Sequence, residues 1–400
     1  MVQKIFDFER CKHNLRRYLS FCLSPLLLFL ACSDDLSLLN SLDTKFTNID
    51  VVIVADTLDA VSSSTFRNYL PMNGRFNLVG KTGGYEAFLA VQFSSLPQRD
   101  TVNVISAQLK LRAATWFGDS SSSLSFTVHK ILRGWSSLSL TWDSLAGFYE
   151  ESVVRGTYTG TVSADTEYVV VDLDTSMVRE WLQPSTITQY GILLNPGTTG
   201  RVVRGFTAFG TDSAQFNPTL TVIAQNLAGT VVDTNEYSIG SDTFVGNIDN
   251  LASNAERIYA QSGVVYRSKL TFDASSIPTG AIVTKAELVL TLDEAASIIN
   301  KFSADTLVAV HVLASSTDST LFELAGSLPK PDVGSAIAVD LRHAAQLWAN
   351  GINNGILLRA SSLNEFSSLD LHVFYGPSAA DPAVRPRVEI FYSIEKEVRK

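Results

Sequence analysis

The chain has 400 residues, which is long enough for two or more domains of the usual size. Hydrophobic residues make up 46% and charged residues 18%, so the composition excludes a largely disordered chain and permits a sizeable core. The 31 basic and 40 acidic residues give a formal net charge of −9, and this lack of a basic surplus argues against a nucleic-acid partner.

The first residues have the composition of a secretory signal. Residues 1–17 carry five basic side chains against two acidic ones, and the following stretch, Tyr18–Ala31, is mostly apolar. As a helix these residues would span about 21 Å, which is too short for a hydrocarbon layer of about 30 Å. The pattern predicts a signal peptide over residues 1–31. The alternative is a buried first helix of a cytosolic domain.

The end of this segment resembles a bacterial lipobox, Phe29-Leu30-Ala31-Cys32. The resemblance implies that the chain is cut before Cys32 and that the Cys32 thiol carries a diacylglycerol. Several acyl chains would then hold the protein on a membrane more firmly than one chain can. Ser33-Asp34-Asp35 is similar to the surface-export signal of Bacteroidetes lipoproteins, so we expect an outer-membrane lipoprotein displayed at the cell surface. Residues 32–47 are predicted to form a tether.

Cysteine placement limits the chemistry of the mature chain. All three cysteines, Cys11, Cys22 and Cys32, lie in the first 32 residues, so processing would leave only the acylated one. That excludes disulfides, thiolate metal sites and a cysteine nucleophile in the mature protein. Loss of residues 1–31 would change the formal net charge from −9 to −12, which disfavours polyanions unless a local basic patch intervenes.

Beyond the tether, short runs rich in β-forming residues alternate with turn signals. Gln108–Arg112, for example, alternates polar and apolar residues with a period of two, as in a half-buried strand. The amphipathic helices that an α/β fold requires do not recur. The pattern therefore predicts an all-β fold built from antiparallel β-sandwiches.

The second half of the sequence repeats landmarks of the first. The strongest match joins Val171-Asp172-Leu173 and a following Trp181 to Val339-Asp340-Leu341 and Trp348. These matches predict two tandem, jelly-roll-like β-sandwich modules, which we expect to fold independently, each with one short amphipathic helix as a plug for its core. Further matches, and the module limits, are Val91–Pro97 with Leu270–Pro278, Ser106–Leu111 with Lys285–Leu290, Gly191–Leu194 with Gly355–Leu358, and modules at residues 48–225 and 227–395.

The motifs of both copies resemble the DNRLRE domain. They comprise the Phe-to-Pro segments Phe93–Pro97 and Phe272–Pro278, Ala-x-Leu-x-Leu and Val-Asp-Leu…Trp…Gly-Ile-Leu-Leu, together with Thr141-Trp142 in the first copy. That family is a β-sandwich of bacterial surface and secreted proteins, related to carbohydrate-binding modules described for alginate. The resemblance implies a non-catalytic module for polysaccharide binding or cell-surface attachment.

Three tryptophans of the first copy are candidates for a sugar-binding face, because the C–H-rich face of a pyranose stacks on flat rings. Trp135 and Trp142 are seven residues apart, so on one strand they would face opposite sides, and at least one is expected in the core. Trp116 lies beside a serine-rich loop and is the better surface candidate.

A second candidate site is basic. Arg67, Arg75 and Lys81 occupy or border a loop rich in glycine and asparagine, and Arg201 and Arg204 occupy another. If these loops converge, their guanidinium groups could bind uronate carboxylates through paired hydrogen bonds. The alternative is ordinary solvated charge.

The sequence contains little that indicates catalysis. His129 and His311 occupy equivalent, apolar-flanked positions and are interpreted as structural, and no nucleophile elbow, P-loop or zinc motif occurs. We expect no enzymatic activity and no cofactor, while calcium in a sandwich loop is left open. Expected partners are the membrane and a polysaccharide. The alternative function is a structural or adhesive spacer with a surface protein partner.

Overall fold

Alternating burial explains why strands dominate this structure. In β4, Val102–Gly118, every second side chain from Ala107 to Phe117 is buried. A strand that lays one face on a core has this period of two. The same rule holds for β10, Thr219–Asn226, in which Leu220, Val222 and Ala224 are buried.

The computed structural model describes residues 51–395, apart from 73, 95, 100–101, 164, 185–187, 211–213, 249–250, 252–253, 301–305, 314–320 and 330–335. The predicted signal peptide, Cys32 and the tether lie outside the described residues. Residues 54–392 form one compact unit. A second unit comprises residues 1–53 and 393–400, of which only Val51–Ile53 and Ser393–Glu395 are described.

The described residues of the first half contain ten strands and one α-helix, besides short 3-10 turns at Trp142–Ser144 and Ala214–Phe216. These are β1 Val51–Arg67, β2 Phe76–Thr82, β3 Tyr85–Phe93, β4 Val102–Gly118, β5 Leu124–Lys130, β6 Gly156–Gly160, β7 Tyr168–Asp172, α1 Thr175–Leu182, β8 Ile192–Pro196, β9 Val202–Thr207 and β10 Thr219–Asn226.

The described residues of the second half contain ten further strands and two helices. These are β11 Val232–Ile248, β12 Arg257–Gln261, β13 Tyr266–Phe272, β14 Ile282–Thr291, β15 Thr306–Leu313, β16 Leu321–Pro329, β17 Ala336–Asp340, α2 Arg342–Ala349, β18 Ile356–Ala360, the single-turn α3 Ser362–Glu365, β19 Leu371–Tyr375 and β20 Arg387–Glu395.

The strands form two antiparallel sheets, as the all-β prediction requires. Sheet 1 has the order β11-β10-β4-β9-β2-β3-β8-β5-β6, with β7 beside β4. Sheet 2 has the order β16-β15-β18-β13-β1-β20-β14-β17, with β12 between β13 and β19. Among the described residues, no helix is both long and apolar enough to cross a membrane.

Matched landmarks of the two sequence copies have matching strand registers. Gln108 lies opposite Asp172 where β4 pairs with β7, and Glu287 lies opposite Asp340 where β14 pairs with β17. A helix follows β7 and β17 in each case, and its apolar stripe is buried, with Trp181 in α1 and Trp348 in α2.

The two halves exchange their first strands. β1 belongs to the first half of the sequence but lies between β13 and β20 in sheet 2. β11 belongs to the second half, yet its Val232–Ser238 part pairs with β10 and its Ile239–Ile248 part pairs with β3, both in sheet 1. Each sheet therefore contains a strand from the other half of the sequence, and the module limits at residues 48–225 and 227–395 remain a prediction.

Candidate functional site

A cavity of about 420 Å³ opens beside the end of β4, between residues from both halves of the sequence. A volume of this size lies within the range of small-molecule sites, about 300–1,000 Å³. Its lining residues include three aromatic, several aliphatic and a few polar ones. The lining residues are Thr82, Gly83, Tyr85, Trp116, Phe117, Gly118, Ile248, Gln261, Ile298, Ile299, Asn300, Leu369 and Leu371.

Local backbone geometry places Trp116 at this cavity. β4 pairs with β10 as far as Lys110 and with β9 from Ala113 onward. Beyond an irregularity between Ala113 and Thr115, Trp116 lies opposite Arg204. The strand ends at Gly118, which has φ +84° and lies so close to the Arg201 carbonyl that a Cβ would collide with it. Glycine is therefore required for β4 to end against β9 at the cavity wall.

One face of the Trp116 ring is held by a buried cation. The Arg204 guanidinium lies 5.4 Å from the ring centroid, within the range of a cation–π contact. Arg204 is only 1% exposed and donates hydrogen bonds to the backbone carbonyls of Ser120, at 2.9 Å, and Val162. Arg204 therefore orients Trp116 and is not a solvated residue of a basic loop.

Asn300 ties the Trp116 segment to the second half of the chain. Its Nδ2 donates to the Trp116 carbonyl at 2.8 Å, and its backbone N–H donates to the Asp370 carboxylate at 2.6 Å. Because both contacts are made before any ligand enters, the position of Trp116 is set in advance.

Gln261 is a lining residue of the cavity with an unpaired hydrogen-bond acceptor. Its side chain is 2% exposed, and among the described residues its Oε1 accepts no hydrogen bond. Leaving a buried acceptor unpaired costs about 1–3 kcal/mol. Gln261 ends β12 opposite Leu371 of β19, and both residues line the cavity. A ligand hydroxyl placed there would satisfy the acceptor.

Tyr85 supplies a second buried ring. Burial raises the pKa of its phenol well above the ordinary value, so the group stays neutral. Its hydroxyl donates a long hydrogen bond, 3.5 Å, to the Gly263 carbonyl. Tyr85 therefore offers the cavity an apolar ring face and no charge.

The structure joins two of the predicted basic residues through a neutralising acid. Arg67 donates from Nη1 to Asn247 at 3.0 Å, and Asn247 donates to Glu86 Oε1 at 3.3 Å. Lys81 Nζ lies 3.4 Å from Glu86 Oε2. Arg67 and Lys81 therefore belong to one network whose carboxylate offsets part of their charge.

Arg75 lies apart from this network. It is exposed, precedes β2 and places its guanidinium 5.2 Å from the Phe76 ring centroid. Lys81 lies near the opposite end of β2, about 20 Å away at the rise of a strand. The three predicted cations therefore do not meet at a single carboxylate-binding point.

Trp135 and Trp142 support a loop rather than the cavity. Both are half-buried against one hydrophobic cluster. Trp135 donates from Nε1 to the Tyr190 carbonyl at 2.8 Å, and Trp142 packs edge-on against Phe88 with centroids 5.4 Å apart. The crevice that Trp142 shares with Arg67 has a volume of about 10 Å³, which is too small for a sugar ring.

The site residues predicted from the sequence do not include Tyr85, Gln261 or Asn300. Gln261 carried the best available signal, since it ends the otherwise apolar run Ile258-Tyr259-Ala260 within a predicted β-rich region. Nothing in the sequence indicated that this residue lies near Trp116.

Internal contacts hold His129 and Glu365, a histidine and an acid of the types that general acid–base catalysis uses. The two ring nitrogens of His129 lie 3.0 Å from the Glu150 carbonyl oxygen and 2.8 Å from Thr127 Oγ1. Glu365 is fully buried and forms ion pairs with Arg267, at 2.9 Å, and Arg359, at 3.1 Å. Within the described ranges, no group of three histidine, cysteine or acidic side chains is arranged to hold a metal ion.

Comparison of the chain with protein families, with curated proteins and with solved structures finds no match in any of the three.

Proposed function

We propose that this protein is a non-catalytic, surface-anchored lipoprotein that binds a neutral glycan in the cavity beside Trp116. The observation that supports this proposal most is the combination of an aromatic wall with a buried, unpaired acceptor, Gln261 Oε1. A sugar ring offers both complements, because its C–H face stacks on an aromatic ring and its hydroxyls donate hydrogen bonds.

The charges around the cavity favour a neutral sugar over a uronate. None of the described lining residues carries a charge. Lys81 is paired with Glu86, and Arg204 is directed at backbone carbonyls. A buried carboxylate would therefore enter without a partner, which is costly. Among the polysaccharides that the DNRLRE resemblance implies, we therefore propose a neutral one as the ligand.

The finer architecture and the location are part of the same proposal. Each sheet, with its exchanged strand and its helix, is proposed to form a jelly-roll-like sandwich of the DNRLRE type. Residues 1–31 are proposed to direct export, and Cys32 to carry the lipid that holds the protein at the outer surface. The cavity would then face glycans outside the cell.

Isothermal titration of the full chain with neutral and uronic-acid oligosaccharides tests the binding site. We expect Trp116→Ala to weaken binding about 5- to 30-fold, because stacking on a ring is worth about 1–2 kcal/mol by analogy with base–aromatic stacking. The matched control is Tyr168→Ala, which removes a ring that is 39% exposed and does not line the cavity. It should bind as the wild type does.

A second variant separates binding from folding. Gln261→Leu removes the unpaired acceptor, so the folded state should be as stable as the wild type or more so, while glycan affinity falls. Absence of heat with every glycan, or equal loss in Trp116→Ala and Tyr168→Ala, would contradict the proposed site. The spacer function with a protein partner would then be preferred.

Anchoring is tested by labelling with a tagged fatty acid. Cys32→Ser should abolish the label, because no thiol remains at the cleavage point to accept lipid. Cys22→Ser is the matched control and should label like the wild type, since Cys22 lies inside the segment that is removed. Equal labelling of wild type and Cys32→Ser would refute the lipid anchor.

A further inference from the structure

The strand between β13 and β20 comes from the distant start of the chain. Over Ala60–Arg67, β1 pairs antiparallel with Tyr266–Phe272 of β13. On its other side it neighbours β20, and the Ala60 N–H donates to the carbonyl of Pro386, the residue before β20, at 3.0 Å. β1 is thus an interior strand of sheet 2, although the rest of that sheet comes from the second half of the chain.

Removing β1 would open sheet 2 along two strand edges. Both β13 and β20 would lose a row of backbone partners, and unpaired edges of this kind readily accept another strand. The space between β13 and β20 is therefore an acceptor groove that requires a strand of β1 type. Nothing in the backbone pairing requires that strand to belong to the same molecule.

Side-chain burial holds β1 less firmly than its counterpart β11. Of the 17 residues of β1, only Leu58 and Ala60 are buried. β11 has the same length but buries Ile239 and the continuous run Asp242–Gly246. β1 is therefore held by main-chain hydrogen bonds and by polar side-chain contacts such as Ser62 with Thr271, and every copy of the same segment can form these contacts.

The described connections of β1 and β11 differ. β1 is joined to the remaining described strands at one end only, through residues 68–75, whereas β11 continues into other strands at both ends. Among the described residues, release of β1 from the groove therefore requires movement about residues 68–75 alone.

We propose that the groove between β13 and β20 is an interaction site for a second copy of this chain, which donates its own β1. Each contact that β1 makes within one chain can also form between two chains. The equilibrium between the monomer and the strand-exchanged form therefore depends on the connection at residues 68–75 and on protein concentration. Reciprocal donation gives a closed dimer, and one-way donation extends into a chain of molecules. This inference stands independently of the glycan proposal.

Single cysteines placed across the β1–β13 pair test this exchange. The background is the full chain with Cys11, Cys22 and Cys32 replaced by serine, so that no other thiol remains. One variant carries Ser62→Cys and the other Thr271→Cys, because these hydroxyls contact each other across the pair. Opposed residues of antiparallel strands have Cα atoms about 4.5–5.5 Å apart, within the range that a disulfide spans.

The two variants are mixed in equal amounts, unfolded, refolded together and oxidised. We expect a disulfide-linked species at twice the chain mass on a non-reducing gel, lost on reduction, whose fraction rises with protein concentration during refolding. A chain that carries both substitutions tests whether residues 62 and 271 are opposite each other in one molecule. At high dilution it should form the disulfide within that molecule.

The matched control is a mixture of Gln108→Cys and Asp172→Cys chains. These residues also lie opposite each other and share a hydrogen bond of 2.8 Å, but both strands belong to the first half and neither is exchanged. The control should give no more covalent dimer than random collision. Equal dimer in both mixtures, or no dimer with Ser62→Cys and Thr271→Cys, would overturn the proposal, whether or not the doubly substituted chain forms its internal disulfide.

Discussion

At the scale of single residues, the cavity illustrates how a binding group is positioned before its ligand arrives. Arg204 holds the Trp116 ring and Asn300 holds its carbonyl. A ring with fixed orientation loses little conformational entropy when a ligand stacks on it, so more of the contact energy remains as affinity. Gln261 contributes the opposite feature, an acceptor that the fold leaves unpaired.

Asp242 is a second residue whose burial has a measurable consequence. It lies on β11, is 6% exposed and accepts a hydrogen bond of 2.9 Å from the Phe209 N–H. Burial raises the pKa of its carboxyl from 3.8 to about 6, and the hydrogen bonds from Phe209 and Asn77 offset only part of that rise.

We therefore expect Asp242→Asn to stabilise the protein above about pH 6. Between about pH 4 and pH 6 the folded state binds more protons at Asp242 than the unfolded state does. The free energy of unfolding of the wild type therefore falls as pH rises through the raised pKa of Asp242. The variant should gain about 1–3 kcal/mol at pH 8 and little at pH 4. Urea unfolding across this range measures the gain, with the exposed Asp233→Asn as the control. A gain independent of pH would contradict the explanation.

At the scale of elements, each half uses one amphipathic helix in the same way. In α1, Asp174 caps the first turn by accepting from the Ser176 N–H at 2.8 Å, and Trp181 lies 5.8 Å from Phe93 between ring centroids. In α2, Trp348 stacks on Phe272 at 5.6 Å. The capping chemistry differs between the helices, but the buried tryptophan is retained.

Truncating either tryptophan should destabilise the fold by a similar amount. Trp181 and Trp348 are 5% and 4% exposed, and removing a buried large aromatic costs about 3–5 kcal/mol. Urea unfolding of Trp181→Ala and Trp348→Ala gives the two losses. Leu138→Ala is the control, because that side chain is 71% exposed and its loss should cost little. A cost below about 1 kcal/mol for either tryptophan would show that the helix contributes little to the core.

At the scale of the whole molecule, strand exchange makes the two halves depend on each other. A fragment of residues 48–225 retains β1 without its groove and lacks the β11 that pairs with β3 and β10. A fragment of residues 227–395 lacks β1 and retains β11 without its partners β3 and β10. Each fragment therefore exposes unpaired edges where the intact chain has complete pairing.

We expect these fragments to associate when they are refolded together. Each alone should give aggregates or a poorly cooperative melt, and the equimolar mixture should elute as a one-to-one complex on size-exclusion chromatography. The control is the same mixture in which the second fragment carries β1 at its own start, so that its groove is already filled and association is weaker. If both original fragments melt cooperatively as monomers, the exchanged strands are not required for folding.

Local features of this protein follow from its sequence alone. Period-two alternation in segments such as Gln108–Arg112 determines strands, and the apolar stripe that ends at Trp181 determines a helix, because both patterns depend only on near neighbours. The recurrence of landmarks determines that the two halves pair their strands in matching registers. These properties can be predicted from the sequence without knowledge of the tertiary structure.

The partners of β1 and β11, and the members of the cavity, were decided only by tertiary structure. The two halves share the same landmarks, so alternation along β1 does not distinguish the edge of β3 from the edge of β13; only the folded chain shows which edge it occupies. Trp116 and Gln261 lie far apart in sequence and meet only because β4 and β12 end at one cavity. The surroundings of the basic side chains also depend on the folded chain. Lys81 pairs with Glu86, and Arg67 is linked to the same carboxylate through Asn247 of the second half. Long-range contacts of this kind leave no periodic trace in the sequence.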